Sequence, residues 1–175
     1  ENVIDRDVGA RFVYDGDPPP RKAPTITADQ EFCGRHDLLL ENLVVHPENR
    51  GVASIIVWLY LPRGDPLPPV HDTYLQTQDS EVVLDANLCR FEPHVCLLRT
   101  TQTLLIRNLN PIGDSAKIDA FDNAPISIML SSGDEYRCRL AKPERWPIHV
   151  SCSVDPWESA WLLVKDHPYM AVSTL

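Results

Sequence analysis

This sequence predicts an all-β fold, a sandwich of two packed sheets, from two observations. Sixteen prolines stand against seven glycines, and proline is excluded from helix interiors and central strands, so short strands joined by rigid connections are favoured over a helical bundle. After residue 80, short apolar runs recur between turn residues, and several alternate in polarity, as in Tyr136–Leu140. Such spacing and alternation are typical of half-buried strands in a sandwich.

Length and charge limit the classes of function. The chain has 175 residues, enough for one domain (1–175) with a substantial core. Its net charge is −9 and it has no block of basic residues, so the charge argues against nucleic-acid binding. The longest apolar stretch, residues 52–61, has the length of a strand and is too short for a membrane span. The partner we expect is another protein, of unidentified kind.

The first 80 residues predict a β extension that packs on the sandwich. Residues 8–14 predict a strand that ends at an Asp-Gly turn followed by prolines, and residues 24–32 predict a weaker strand. Residues 35–42 predict a short helical turn. Residues 52–61 are rich in β-branched and aromatic side chains and predict a central strand. The proline-rich stretch 62–80 predicts a long surface loop.

Residues 81–175 predict the sandwich itself. Each predicted strand is a short apolar or alternating run bounded by turn residues. The strands are Val82–Leu84, Phe91–Leu98, Thr103–Asn108, Ala116–Ile118, Ile126–Leu130, Tyr136–Leu140, Ile148–Ser153 and Ala160–Lys165.

Five cysteines are present, and none lies in a Cys-x-x-Cys pair, so the spacing does not support a zinc knuckle or a thioredoxin-type site. An odd count is compatible with two disulfides and one free thiol in an oxidising compartment. It is also compatible with five free thiols in the cytosol. Spacing alone does not decide the connectivity.

Three segments carry a family resemblance: Phe91–Val95, Thr103–Asp114 and Cys152–Glu158. A strand that ends in Asn, a short loop, and a distant tight loop that begins with Cys resemble the cupredoxins. Residues 12–19, 32–34 and 142–145 are similar to motifs of large secreted bacterial cupredoxin-like proteins. The resemblance implies a Greek-key cupredoxin-like β-sandwich, 81–175, with the extension 1–80, in a secreted or periplasmic protein.

The resemblance also implies where a metal site would lie. Blue copper is held by two imidazoles and a thiolate, with a weak axial thioether. At the matching positions this chain has Asp114 and Asp155 in place of the histidines and Glu158 in place of the methionine, while Cys152 is retained. Neither His94 nor His149 matches a ligand position, so we expect neither to bind a metal.

Three interpretations of these positions remain open. In the first, which we favour, no metal is bound, the carboxylates lie in water at the tip of the sandwich, and the chain is a binding or structural module. In the second, copper is held by an atypical ligand set around Cys152, for electron transfer. In the third, Asp114, Cys152, Asp155 and Glu158 hold zinc or another divalent ion.

For the remaining cysteines, the resemblance implies a disulfide between Cys33 and Cys89. Cys96 and Cys138 lie in predicted strands; they pair if those strands are adjacent and are otherwise small buried apolar residues. Cys152 is then free, and nearby carboxylates raise its pKa, which makes it a poor nucleophile. Without a nucleophile-elbow motif either, we expect no enzymatic activity.

Trp157 lies in the loop that follows the retained cysteine. In cupredoxins the apolar surface around this loop docks redox partners, and tryptophan is over-represented at protein interfaces. We therefore expect Trp157 to contribute to an interface with a protein partner.

Overall fold

The computed structural model describes residues 9–62 and 64–175, and strands dominate them. One short helix, α1 (Gln30–Cys33), and one 3₁₀ helix, Asp72–Thr77, precede the sandwich. The strands are β1 (Ile56–Trp58), β2 (Glu81–Ala86), β3 (Phe91–Glu92), β4 (Val95–Arg99), β5 (Thr103–Asn108), β6 (Asp114–Ile118), β7 (Ile126–Leu130), β8 (Glu135–Cys138), β9 (Ile148–Ser151), β10 (Ser159–Lys165) and β11 (Met170–Val172).

Two mixed sheets form the sandwich. One has the order β3-β2-β5-β8 and the other β4-β10-β9-β6-β7, while β1 and β11 form a separate antiparallel pair. The pairs β2/β5 and β4/β10 are parallel, and the other pairs in the two sheets are antiparallel. The chain passes repeatedly from one sheet to the other. The predicted all-β sandwich is confirmed.

A single apolar core lies between the sheets. Leu84 and Ile106 contribute to it from the first sheet, and Ile118 and Leu162 from the second. Successive side chains of a strand point to opposite faces of the sheet. Along β10, Leu162 therefore points into the core between the sheets, while Leu163, which is equally buried, points to the outer face. Seven of the eight strands predicted after residue 80 are present, with small shifts of their ends. The prediction of one strand over Phe91–Leu98 is wrong, because the chain breaks after Glu92 and β3 and β4 lie in different sheets. The sequence did not predict β11.

The N-terminal half differs from the prediction. Residues 24–32 do not form a strand, because Asp29 adopts a left-handed conformation (φ 44°) and α1 begins immediately after it. Residues 35–42 form no helical turn. In the stretch 52–61, Ser54 is also left-handed (φ 63°), so only Ile56–Trp58 is a strand, and it pairs with β11 outside the sandwich.

The predicted strand 8–14 is also wrong over its described part, where Val13 forms only an isolated bridge to Gly51; residue 8 lies outside the described residues. Within 9–62 and 64–80, β1 is the one strand, so the extension is largely irregular rather than β. It nevertheless contacts the sandwich at the end of β10. The ammonium of Lys165, at the end of β10, lies 5.3 Å from the Trp58 ring centroid. The division at residue 80 remains a prediction.

The cysteines show one disulfide and three free thiols. Cys33 and Cys89 are joined, as the resemblance implied, and this bond ties the extension to the sandwich. The alternative pairing of Cys96 with Cys138 is wrong, because both thiols are free; their strands, β4 and β8, are not adjacent and lie in different sheets. Cys96 is instead a small buried member of the core, and burial raises its pKa to about 12. In the described part of the chain, no helix is both long and apolar enough to cross a membrane.

Candidate metal centre

Three neighbouring strands bring the predicted site residues together. Asp114 begins β6, Cys152 follows β9 and Glu158 precedes β10. Because β9 pairs with both β6 and β10, these residues meet at one end of the five-stranded sheet. One ligand atom from each of the three lies within 4.8 Å of the others, and all three side chains are buried. In residues 9–62 and 64–175, this is the one such group of His, Cys, Asp or Glu side chains.

Asp114 is held by three donors. The Ser115 N–H donates to its Oδ1 (2.6 Å), and so does the Cys152 thiol (3.0 Å). The Asn110 amide donates to its Oδ2 (3.2 Å). These hydrogen bonds orient the carboxylate with Oδ1 toward the Cys152 thiol, without the help of a bound ligand.

The sulfur of Cys152 lies in a polar environment. The backbone N–H groups of Val154 and Asp155 donate to it, at 3.2 and 3.1 Å. The Ser115 hydroxyl lies 3.4 Å away. Burial, followed by the hydrogen bond to Asp114, raises the pKa of this thiol to about 11. The sulfur is thus protonated at neutral pH, yet the two N–H groups are placed to stabilise a thiolate if the proton is displaced.

Asn108 and Asn110 position the loop that carries Asp114. The buried Asn108 amide donates to the carbonyls of Ile112 (2.7 Å), Leu130 (3.1 Å) and Ser131 (3.2 Å). Its Oδ1 accepts from the Asn110 N–H at 2.9 Å. Sequence reasoning noted a strand that ends in Asn but did not identify these roles. The run Asn-Leu-Asn-Pro directly after an apolar strand was the available signal.

Glu158 and Asp155 are the unusual side chains of the site. They are 1% and 0% exposed, and neither carboxylate has a hydrogen-bond partner on either oxygen. Burial, with Asp114 and then Asp155 nearby, raises the pKa of Glu158 far above its ordinary value. Burial, with Asp29 and then Asp114, raises the pKa of Asp155 to about 6. The expectation that these carboxylates lie in water is therefore wrong.

The structure places Asp155 differently from the other three predicted ligands. Its carboxylate is not part of the compact group, although its backbone N–H contacts the sulfur. Asp155 thus acts on the site through its buried charge and through its main chain.

The residues do not fit a blue-copper centre. Such a centre needs two imidazoles, and the compact group contains none. His94 instead contacts the Ser159 carbonyl (3.0 Å), and the His149 ring packs 5.1 Å from that of Trp161. One sulfur and several carboxylate oxygens suit a borderline divalent ion such as Zn²⁺ better than copper.

Trp157 is half-buried between the loop and the N-terminal extension. Its indole N–H donates to the Cys89 carbonyl at 3.2 Å. With His94 and Glu41 it lines a cavity of about 30 Å³, space for roughly one water molecule. Its predicted role at a partner interface remains a prediction.

Comparison with known proteins finds similarity at the level of solved structures. No family model and no curated protein matches the chain. A copper-containing nitrite reductase (NirK) from Thermus scotoductus SA-01 is similar over 60% of this chain and 24% of its own, with 18% identity and a TM-score of 0.44. The chain thus spans about a quarter of that enzyme's length.

Amicyanin structures show a similar degree of likeness. One reduced, Cu(I) variant is 13% identical over 48% of this chain and 81% of its own, with a TM-score of 0.42. Another Cu(I) variant is 13% identical over 49% and 83%, with a TM-score of 0.43. These structural neighbours are cupredoxins, and at these identities and TM-scores the likeness says nothing of what this chain binds.

Proposed function

We propose that this chain is a cupredoxin-like module that binds one divalent metal ion through Asp114, Cys152 and Glu158. The observation that carries the proposal is the burial of both carboxylate oxygens of Glu158, and of Asp155, without any donor. Burying a carboxylate without a partner is costly, and the usual solutions are a counter-charge, a metal or protonation. A divalent cation would compensate all of these groups at once.

The donor types favour zinc over other common ions. Calcium and magnesium prefer ligand sets made only of oxygen, whereas a thiolate is a soft ligand. Zinc accepts sulfur and carboxylate oxygen in a tetrahedral arrangement, and the three converging side chains would leave one coordination position open. Metal binding would displace the thiol proton of Cys152, because a coordinated thiol is deprotonated. The N–H groups of Val154 and Asp155 would then stabilise the sulfur.

We assign the module a binding or structural role rather than catalysis. The ligand-bearing side chains are buried, so a substrate has little access to them. The disulfide supports a secreted or periplasmic location, because such bonds persist in oxidising compartments. The lack of imidazoles in the compact group argues against electron transfer through blue copper.

Cobalt titration tests the proposal. Co²⁺ is a spectroscopic substitute for zinc, and a thiolate–cobalt bond produces intense near-ultraviolet absorption. We expect one equivalent of Co²⁺ to bind the wild-type chain and to produce this absorption. The variant Cys152→Ser should lack the absorption. The control Cys138→Ser, which removes a free thiol of another strand, should retain it. Binding without the absorption, or no binding at all, would refute the assignment.

A further inference from the structure

A chain of hydrogen bonds connects the disulfide to a proposed metal ligand. The Cys89 N–H donates to Oδ1 of Asn110 at 3.3 Å, and Nδ2 of Asn110 donates to Oδ2 of Asp114 at 3.2 Å. Asn110 is buried, and one orientation of its amide satisfies both contacts, with oxygen toward the N–H and nitrogen toward the carboxylate. The Cys89 backbone therefore contributes, through Asn110, to the placement of the Asp114 carboxylate.

The turn that contains Cys89 depends on its restraints. Leu88 and Cys89 are consecutive non-glycine residues in the left-handed region, with φ of 50° and 57°. Such residues persist only where the surrounding structure holds them. The Trp157 indole holds the Cys89 carbonyl, and the disulfide to Cys33 supplies the covalent restraint. Cleaving that bond would free the turn to relax.

The other half of the disulfide also affects the site. Cys33 ends α1, and Asp29 precedes that helix. Asp29 also lines an open cleft of about 430 Å³ with Ile112, in the loop that leads to Asp114. The disulfide thus keeps a further negative charge near a site proposed to attract a cation.

We propose that the Cys33–Cys89 disulfide sets the affinity of the site for its divalent ion, so that the oxidised chain binds tightly and the reduced chain releases the ion. This inference rests on the proposed function. A dithiol present in the same compartment would be the reductant: its two electrons and two protons convert the S–S bond into the thiols of Cys33 and Cys89, and it becomes a disulfide itself.

Thermodynamic linkage adds a reciprocal consequence. If oxidation tightens metal binding, the bound metal must stabilise the oxidised form by the same factor. The disulfide of the metal-loaded protein is therefore expected to have a lower reduction potential than that of the metal-free protein. Both cysteines of the disulfide are buried.

Zinc affinity, measured by competition with a chromophoric chelator, tests the inference in four variants. Cys33→Ser/Cys89→Ser removes the disulfide, and Asn110→Ser breaks the hydrogen-bond chain with the disulfide intact. The triple variant combines them. Asn123→Ser is the control, because that amide bridges Lys142 and Glu144 instead of the site. Near-ultraviolet circular dichroism reports whether each variant is folded.

We expect zinc to bind about tenfold more weakly to the disulfide variant and to Asn110→Ser, as for lost outer-shell partners of metal ligands. The zinc affinity of the triple variant should be little lower than that of either parent variant, because both changes interrupt the same chain of hydrogen bonds. The control Asn123→Ser should bind zinc as tightly as the wild type. Wild-type zinc affinity in the disulfide variant or in Asn110→Ser, or an equal disulfide reduction potential with and without zinc, would overturn the inference while leaving the proposed function intact. Failure of the oxidised wild type to bind zinc would overturn both.

Discussion

Replacing Glu158 by glutamine should stabilise the metal-free protein. The side chain is 1% exposed and its carboxyl must stay protonated or pay for a buried charge. Its ordinary pKa is 4.5, and each pH unit above that value costs about 1.4 kcal/mol while the folded state keeps the proton. At pH 7 the cost reaches about 3 kcal/mol, and glutamine avoids it. Allowing for imperfect packing, we expect a gain of about 2 kcal/mol, or roughly 4–8 °C in melting temperature.

The pH dependence distinguishes this reasoning from a packing effect. Because the folded pKa is raised, the cost is absent below the unfolded pKa and grows as pH rises toward the folded one. The gain from Glu158→Gln should therefore be small at pH 5 and large at pH 7. Thermal unfolding after treatment with a chelator measures this gain as a shift in melting temperature. The control Glu48→Gln, at an exposed position, should have nearly the melting temperature of the wild type at either pH.

Metal dependence completes this test. Saturating zinc should raise the melting temperature of the wild type, because a ligand that binds only the native state stabilises it. Zinc should raise that of Glu158→Gln much less. The reasoning is refuted if the variant is less stable than the wild type at pH 7, or if its gain is the same at pH 5.

Three further predictions concern the surroundings of the site. Cys33→Ser/Cys89→Ser should lower the free energy of unfolding by about 4 kcal/mol, because the bond spans 56 residues; urea denaturation measures this, and a loss below about 1 kcal/mol would contradict it. Asn108→Ala should cost about 3 kcal/mol in the same assay, because three carbonyls lose a donor; an unchanged midpoint would count against the positioning role. Asp155→Asn should stabilise the metal-free chain at pH 8 but not at pH 4, since the raised pKa of about 6 makes stability fall as pH rises between those limits; equal melting shifts at both pH values would show that charge is not the cause.

The local pattern of apolar and polar residues predicted most strands of the sandwich but not the structure of the N-terminal extension. The strand Thr103–Asn108 was predicted with its observed bounds, because apolar runs between turn residues carry their own periodicity. The stretch 52–61 has the composition of a central strand, yet Ser54 interrupts it and its pairing partner is β11. Backbone conformation at one polar residue and pairing across more than a hundred residues are not encoded in composition.

For the site, the sequence indicated which residues occupy the ligand positions but not their environment. Asp114, Cys152 and Glu158 were identified by resemblance, and the structure brings them together. Their burial was not foreseen, because a polar loop at the tip of a sandwich is ordinarily solvated. Burial of this kind depends on tertiary contacts between distant segments, which no short motif reveals.

X-ray absorption at the zinc edge of the zinc-loaded protein tests the central claim most directly. The account predicts one sulfur at about 2.3 Å from the metal and oxygen ligands at about 2.0–2.2 Å. It also predicts no imidazole scattering, because the group of Asp114, Cys152 and Glu158 has no histidine. A spectrum without the sulfur shell, or with histidine ligands, would contradict a metal centre built on these three side chains.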